Sequence, residues 1–144
     1  CITFFYESSL DHEFGLTIMD GKFVSLYPYF DKIYTLTSVT NTPLGQRTNY
    51  EDAKRLKDNL SKHEIGKLKL KFEKELIYYY PDFLKFFTNR GYYLSIKTKL
   101  NEQSDSRQAM VMKRNREIFV MSGKIDTIYH AEQEICDYIF GNSS

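Results

Sequence analysis

Several features that would mark a familiar class of protein are missing from this chain. Lysine and arginine total 20 against 19 aspartate and glutamate residues, so the chain has no excess of positive charge for a phosphate backbone. No apolar run approaches the roughly 18 residues of a membrane-spanning helix, and no secretory signal is visible. We therefore expect no nucleic acid and no membrane as partner.

Cysteine is scarce and histidine is scattered. The two cysteines, Cys1 and Cys136, make no disulfide framework, so a reducing cytoplasm is the expected location. His130 and Glu134 stand one helical turn apart, but two ligands are too few for a metal site. No serine-hydrolase elbow, phosphate-binding loop or zinc motif occurs. We predict no metal site, and the sequence leaves any catalytic residue unknown.

Aromatic residues, by contrast, are abundant. The chain holds 12 Tyr and 11 Phe but no Trp, and 42% of its residues are hydrophobic. This content argues against disorder and is enough for a core. We expect a single domain over residues 1–141 with a tail at 142–144. Since the chain opens without Met in a strand-like apolar run, we expect it to be part of a larger protein.

The spacing of apolar residues predicts an α+β fold, with a mostly antiparallel sheet of about six to seven strands and two to three packed helices. Asn49 and Ser61 are placed to cap two helices, and Pro81 to end the second. Another helix is expected near the C-terminus. Turns are expected at Asp20-Gly21, Asn89-Arg90-Gly91 and Arg114-Asn115-Arg116. The predicted strands cover residues 1–7, 14–19, 22–27, 33–39, 92–97, 109–113 and 117–122.

Tyrosines are the strongest candidates for a ligand site. If several share one face of the sheet, they can line a pocket with hydroxyl groups at its mouth. The alternative is that they are ordinary sheet residues, since aromatic residues favour strands. Arginine can anchor an anionic group, but nothing in the spacing selects one arginine over another. The candidates are Tyr27, Tyr29, Tyr34, Tyr92 and Tyr93, with Arg90, Arg107 and Arg114.

A glycine loop precedes the last helix. Asp126 or Thr127 can cap that helix, whose free N–H groups and positive dipole end favour negative charge. The alternative is a simple tight turn between a strand and a helix. The middle helix carries four lysines, Lys67, Lys69, Lys71 and Lys74, together with Glu64, Glu73 and Glu75. This mixture of charges favours a solvated helix face over a nucleic-acid site.

Several short segments follow one another in a distinctive order. They are Gly15-Leu16-Thr17-Ile18-Met19-Asp20-Gly21, Ser25-Leu26-Tyr27-Pro28, Tyr34-Thr35-Leu36-Thr37-Ser38-Val39, Thr42-Pro43-Leu44, Ser122-Gly123-Lys124-Ile125-Asp126-Thr127 and Ala131-Glu132. This order resembles the later part of FAD-dependent oxidoreductases of the D-amino-acid-oxidase type, most strongly over residues 14–45 and 117–135. In that family a sheet-based substrate domain caps a flavin-binding, Rossmann-like domain.

This resemblance implies roles for particular residues. The cofactor would be FAD, with Gly123, Lys124, Ile125 and Asp126 beside the flavin. A small-molecule substrate bearing an amine or hydroxyl group would lie against the sheet. The partner would be an N-terminal dinucleotide-binding domain of the same parent protein. The substrate-facing residues would be Tyr27, Tyr34, Tyr93 and Arg90.

The chain departs from the family in one respect. The Gly-x-Gly-x-x-Gly fingerprint of dinucleotide-binding domains is absent from its seven glycines. We therefore expect the isolated chain neither to hold FAD tightly nor to turn over substrate. Two alternatives remain: a non-catalytic α+β module that binds a ligand or protein through its aromatic sheet, and an interaction domain that dimerises through that face.

Overall fold

The computed structural model describes residues 1–19, 23–98, 109–121 and 127–141. The chain divides into two compact units, Cys1–Lys97 and Thr98–Ser144. Each has an antiparallel sheet and helical structure, which confirms the α+β class. Among the described residues, no helix has both the length and the apolar character needed to cross a membrane.

The first unit is a five-stranded antiparallel sheet with three helices. The strand order is β2-β3-β4-β1-β5, so β2 to β4 form an antiparallel meander, and β1 lies between β4 and β5. The strands are β1 (Ile2–Ser8), β2 (Leu16–Thr17), β3 (Val24–Phe30), β4 (Ile33–Ser38) and β5 (Phe87–Leu94). The helices are α1 (Tyr50–Asp58), α2 (Lys62–Tyr79) and α3 (Phe83–Phe86).

Side chains of the sheet alternate between two faces with different surroundings. In β1 the even-numbered residues from Ile2 to Ser8 are buried, whereas Thr3, Phe5 and Glu7 are only partly covered. The same alternation occurs in β4. We call the buried side, which contacts α2 and α3, the inner face, and the opposite side the outer face. This period of two is the expected result when helices cover a sheet on one side.

Helix α2 covers the inner face. It begins at a capping box, in which Ser61 Oγ accepts from the backbone N–H of Glu64 and the Glu64 carboxylate accepts from that of Ser61, as predicted. Its buried side includes Phe72, whose ring meets that of Phe4 edge-on at a centroid distance of 5.1 Å. The helix ends at Tyr79, just before Pro81.

A buried polar contact ties α2 to β1. The hydroxyl of Tyr6 donates to Glu73 Oε1 over 2.8 Å, and Lys69 Nζ donates to the same oxygen over 3.0 Å. Tyr6 is fully buried and Glu73 is 5% exposed. Burial, followed by the hydrogen bond to Glu73, raises the pKa of Tyr6 well above its usual range. The carboxylate is buried but has two partners, as buried charges require.

The predicted turn at Asn89-Arg90-Gly91 is wrong. These residues lie inside β5, which begins at Phe87. The pairing of β5 with β1 shifts between Phe5 and Tyr6, so a bulge absorbs the irregular residues. Gly91 has a φ of 125°, which glycine adopts without a Cβ clash. Helix α3, which was not predicted, places Phe83 against the ring of Tyr6 at 4.9 Å.

The second unit contains a hairpin and a helix. The hairpin joins β6 (Met110–Arg114) to β7 (Glu117–Met121), as predicted, through a turn in which Asn115 has a φ of 55°. The helix is α4 (Ile128–Phe140). Its buried residue is Ala131. Ile128 and Ile139 of this helix are largely exposed.

The contact between Tyr6 and Glu73 yields a stability prediction. We expect Tyr6→Phe to lower the free energy of unfolding by about 1–3 kcal/mol, because it removes a partner from a buried carboxylate. The matched control is Tyr93→Phe, which removes an exposed hydroxyl and should change the stability by less than about 0.5 kcal/mol. Urea unfolding of both variants measures the difference. Equal stability of the two variants would contradict a stabilising role for the buried contact.

Candidate functional site

The outer face of the five-stranded sheet carries exposed tyrosines. Tyr27 and Tyr29 lie in β3 and are 48% and 70% exposed, and Tyr93 lies in β5 and is 61% exposed. Two of the tyrosines proposed to face substrate, Tyr27 and Tyr93, are therefore on the same side of the sheet. They lie on different strands, separated by β4 and β1.

The side chain of Tyr27 is held in place by Thr17 in β2 and by Gly15, which precedes that strand. A Cβ added at Gly15 would lie 3.0 Å from Cδ1 of the Tyr27 ring, so a glycine there permits this close approach. The Tyr27 hydroxyl forms a hydrogen bond with the hydroxyl of Thr17 in β2. The ring is fixed along one edge while much of it stays accessible.

Aromatic contact continues from β3 across β4 to β1. The rings of Phe5 in β1 and Tyr29 in β3 lie 5.7 Å apart between centroids, in a tilted arrangement. Tyr29 sits where the pairing of β3 with β4 shifts, between Pro28 and Phe30. The same face carries hydroxyl groups, because the outward positions of the sheet also include Thr3, Thr17, Ser25, Thr35 and Thr37.

Arg90 also lies at this face, but it is not alone there. Its Nε donates to Glu7 Oε2 over 2.7 Å, and its Nη2 contacts the same oxygen. The pair joins β5 to β1, and about half of each side chain is exposed. The bulge in β5, where the sequence predicted a turn, thus brings Arg90 next to the Glu7 carboxylate.

Tyr34 and Tyr92 are not brought to the outer face. Tyr34 is 1% exposed and its hydroxyl accepts a hydrogen bond from the Phe14 backbone N–H over 3.2 Å. Its ring packs edge-on against Phe87 at 5.1 Å. Tyr92 points towards Phe4, with ring centroids 6.4 Å apart. The tyrosines thus divide between the two faces, and Tyr34 is separated from Tyr27 and Tyr93 by the thickness of the sheet.

The residues proposed to approach the flavin, Gly123, Lys124, Ile125 and Asp126, lie outside the described residues, as does Arg107. The described part of the second unit resumes at Thr127, at the start of the helix that follows them. There, Thr127 Oγ1 accepts a hydrogen bond from the backbone N–H of Ala109 over 3.2 Å. Arg114 is exposed at the end of β6, beside the turn.

A shallow groove of about 440 Å³ lies on the helix side of the first unit. Its wall combines leucines with lysines from α2. Glu64, at its edge, is committed to the capping box with Ser61. The groove therefore offers an apolar surface with a charged rim rather than reactive groups. Its lining residues include Leu44, Leu56, Leu60, Leu68, Lys67 and Lys71.

Histidine and acidic residues do not cluster in the part of the chain that the structure describes. No group of three or more potential metal ligands occurs among those residues. His130 Nε2 lies 3.2 Å from Glu134 Oε1 on the surface of α4. This contact is a one-turn helical pair.

Sequence reasoning missed part of this site. Glu7 was not singled out, although its odd-numbered place in β1 puts it on the same face as Thr3 and Phe5. The alternation along β1 was a usable signal for Glu7. No comparable signal existed for its pairing with Arg90, because that contact depends on which strand lies beside β1 and on the bulge in β5.

Comparison with known proteins finds relatives of a single kind. The chain is 38% identical over 126 residues to the FAD-dependent monooxygenase FPY4 of Fusarium mangiferae, covering 87% of this chain and 34% of that protein. It is 30% identical over 148 residues to the FAD-dependent monooxygenase kojA of Aspergillus flavus, covering 96% of this chain and 35% of that protein. A probable FAD-dependent monooxygenase kojA of Aspergillus oryzae matches equally well.

These relatives show that the chain is homologous to a segment of FAD-dependent monooxygenases. The chain spans about a third of the length of the curated relatives it matches. No family model matches the chain, and no solved structure matches it significantly.

The division of tyrosines between the faces is open to chemical test. We expect tetranitromethane, which attacks the phenolate, to nitrate Tyr29 and Tyr93 of the folded chain well before Tyr6 and Tyr34. Nitration of Tyr6 is disfavoured for two reasons, because its side chain is buried and because its raised pKa keeps the hydroxyl protonated. Peptide mass spectrometry of a time course measures the order, and a denatured sample is the control. Nitration of Tyr34 as fast as Tyr93 in the folded chain would contradict the assignment of faces.

Proposed function

We propose that the chain is the substrate-binding, or cap, segment of an FAD-dependent oxidoreductase of the D-amino-acid-oxidase type. The parent protein oxidises a small substrate bearing an amine or hydroxyl group, with FAD as the hydride acceptor. The observation that carries this proposal is the 38% identity to an FAD-dependent monooxygenase over 87% of the chain. The aromatic outer face of the sheet supports the assignment to substrate binding.

The described residues fit a substrate wall better than a site for the FAD diphosphate. Arg90, the one basic side chain within the strands of the first unit, is already paired with Glu7. No glycine-rich phosphate loop is present in the sequence. We therefore assign the dinucleotide to an N-terminal dinucleotide-binding domain of the same parent, which is the proposed partner of this chain.

From this chain, the residues proposed to approach the flavin are Gly123, Lys124, Ile125 and Asp126. They directly precede a helix whose N-terminal N–H groups and dipole favour negative charge. Such a helix terminus suits a ring that becomes more negative when it is reduced. This proposed role of residues 123–126 rests on the sequence around Gly123 and on the family resemblance.

The outer face would bind and orient the substrate. Tyr27 and Tyr93 offer accessible rings for packing and hydroxyl groups for hydrogen bonds. Arg90, with Glu7, offers a fixed polar group at the β1–β5 side of the face. The side chain of Tyr34 is buried on the inner face, so we propose that it supports the outer face from the core. Closing another domain over this face would exclude water from the site.

A non-catalytic binding module is the second candidate. Its support is that the aromatic outer face belongs wholly to the first unit, where Tyr29 and Tyr93 are exposed. A saturable partner bound by the isolated 144 residues, together with a full-length product that takes up no FAD, would favour this alternative. A cytoplasmic location remains a prediction for either function.

Flavin content tests the proposed function. We expect the full-length product to purify with a yellow cofactor absorbing at about 450 nm, as bound flavins do. Gly123→Val should weaken flavin retention or slow flavin reduction, because a β-branched side chain would obstruct the approach to the ring. Gly66→Ala, at an α2 position where an added Cβ meets no atom within 4 Å, is the control. A colourless full-length protein that takes up no added FAD would refute the proposal.

The outer tyrosines yield a kinetic prediction for the full-length enzyme. Tyr93→Ala should lower kcat/KM by about tenfold, or ~1.4 kcal/mol, while leaving the bound flavin unchanged. Tyr78→Ala removes an equally large side chain that is 80% exposed on α2, and it should leave kcat/KM unchanged. Steady-state kinetics on both variants measure the effect. Equal effects of the two substitutions would remove Tyr93 from the site.

A further inference from the structure

We infer that the outer face of the sheet takes an uncharged ligand with a flat ring, and that the Glu7–Arg90 pair excludes carboxylate-bearing ligands from it. This inference rests on the proposed function, because it names the substrate class of the proposed substrate wall. It is carried by the charges and the rings that the strands place on that face.

The first observation is the near absence of charge. The five strands of the first unit contain two side chains that are charged at neutral pH, Glu7 and Arg90. These two pair with each other across β1 and β5. The strands therefore contribute no net charge to the outer face, whose remaining outward side chains are hydroxyls and hydrocarbons.

The second observation is how fully Arg90 is engaged. Two of its nitrogen atoms, Nε and Nη2, contact Oε2 of Glu7. A guanidinium binds carboxylates through such paired donors, so the edge that would receive a ligand carboxylate already holds one. A ligand carboxylate would have to displace Glu7 or approach its negative charge, and both cost free energy.

The third observation is the arrangement of rings. The ring centroids of Phe5 and Tyr29 lie 5.7 Å apart. On the same face, towards β2, the Tyr27 ring is fixed by its contacts with Gly15 and Thr17. Rings exposed on a sheet face offer stacking and edge contacts to another ring. The surrounding threonine and tyrosine hydroxyls can donate or accept hydrogen bonds without requiring charge.

Benzyl alcohol and benzoate form a suitable pair of probes, since they share a ring and differ in charge at neutral pH. The 144-residue chain, labelled with ¹³C on its tyrosine rings, is titrated with each probe and the ring shifts are followed by NMR. Four variants accompany the wild type: Glu7→Gln, Arg90→Gln, the double variant, and Glu51→Gln. The last removes one carboxylate from α1 and serves as the charge-matched control.

We expect benzyl alcohol to shift the rings of Tyr27, Tyr29 and Tyr93 saturably, and benzoate to bind at least about fivefold more weakly. Glu7→Gln should tighten benzoate binding by about fivefold, because it frees the Arg90 guanidinium, and should leave benzyl alcohol binding within about twofold. The double variant and Glu51→Gln should not tighten benzoate. Arg90→Gln should weaken benzoate further, since it leaves Glu7 unpaired.

Several results would overturn the inference. They are tighter binding of benzoate than benzyl alcohol by the wild type, equal benzoate affinity of wild type and Glu7→Gln, or no binding of either probe. Flavin content of the full-length product separates this test from that of the proposed function. If the full-length product is yellow but the 144-residue segment binds neither probe, only the proposed ligand class is contradicted. If the full-length product is colourless but the segment shows the expected preference, only the flavin assignment is contradicted.

Discussion

The packing of α2 against one face of the sheet is the constraint on which the rest of the first unit depends. The contact between Phe4 and Phe72, and the hydrogen bond from Tyr6 to Glu73, fix which side of β1 is buried. Because side chains alternate along a strand, that choice also sets which residues of β3, β4 and β5 face outwards, apart from the bulges in β3 and β5. The aromatic outer face is therefore a consequence of how the core is packed on the inner one.

Local features of the fold were predictable because the groups that cause them are close in sequence. The capping residues Asn49 and Ser61 accept from backbone N–H groups three residues ahead, and both helices begin where they predict. The alternation of Val24 and Leu26 with Ser25 and Tyr27 likewise separates the two faces of β3. Each of these predictions needs only the residues of a single element.

Features that depend on distant neighbours were not predictable in the same way. The Asn89-Arg90-Gly91 segment has the composition of a turn, yet pairing with β1 holds it in a bulged strand. Tyr34 and Tyr27 are both strand tyrosines, and only the register of β3 with β4 shows that they face opposite sides. The candidate site was therefore half predictable: residue types indicated Tyr27, Tyr93 and Arg90, whereas the Glu7 partner required the strand order.

The central claim is that the outer face of this sheet forms the substrate wall of a flavin site in the parent protein. A crystal structure of the full-length, flavin-bound protein with a ligand in its site tests this claim most directly. The account predicts that the rings of Tyr27 and Tyr93 lie on the wall that faces the flavin, with the ligand between them and the cofactor. A structure in which the flavin lies against the α2 side, or in which the outer face points into solvent, would contradict it.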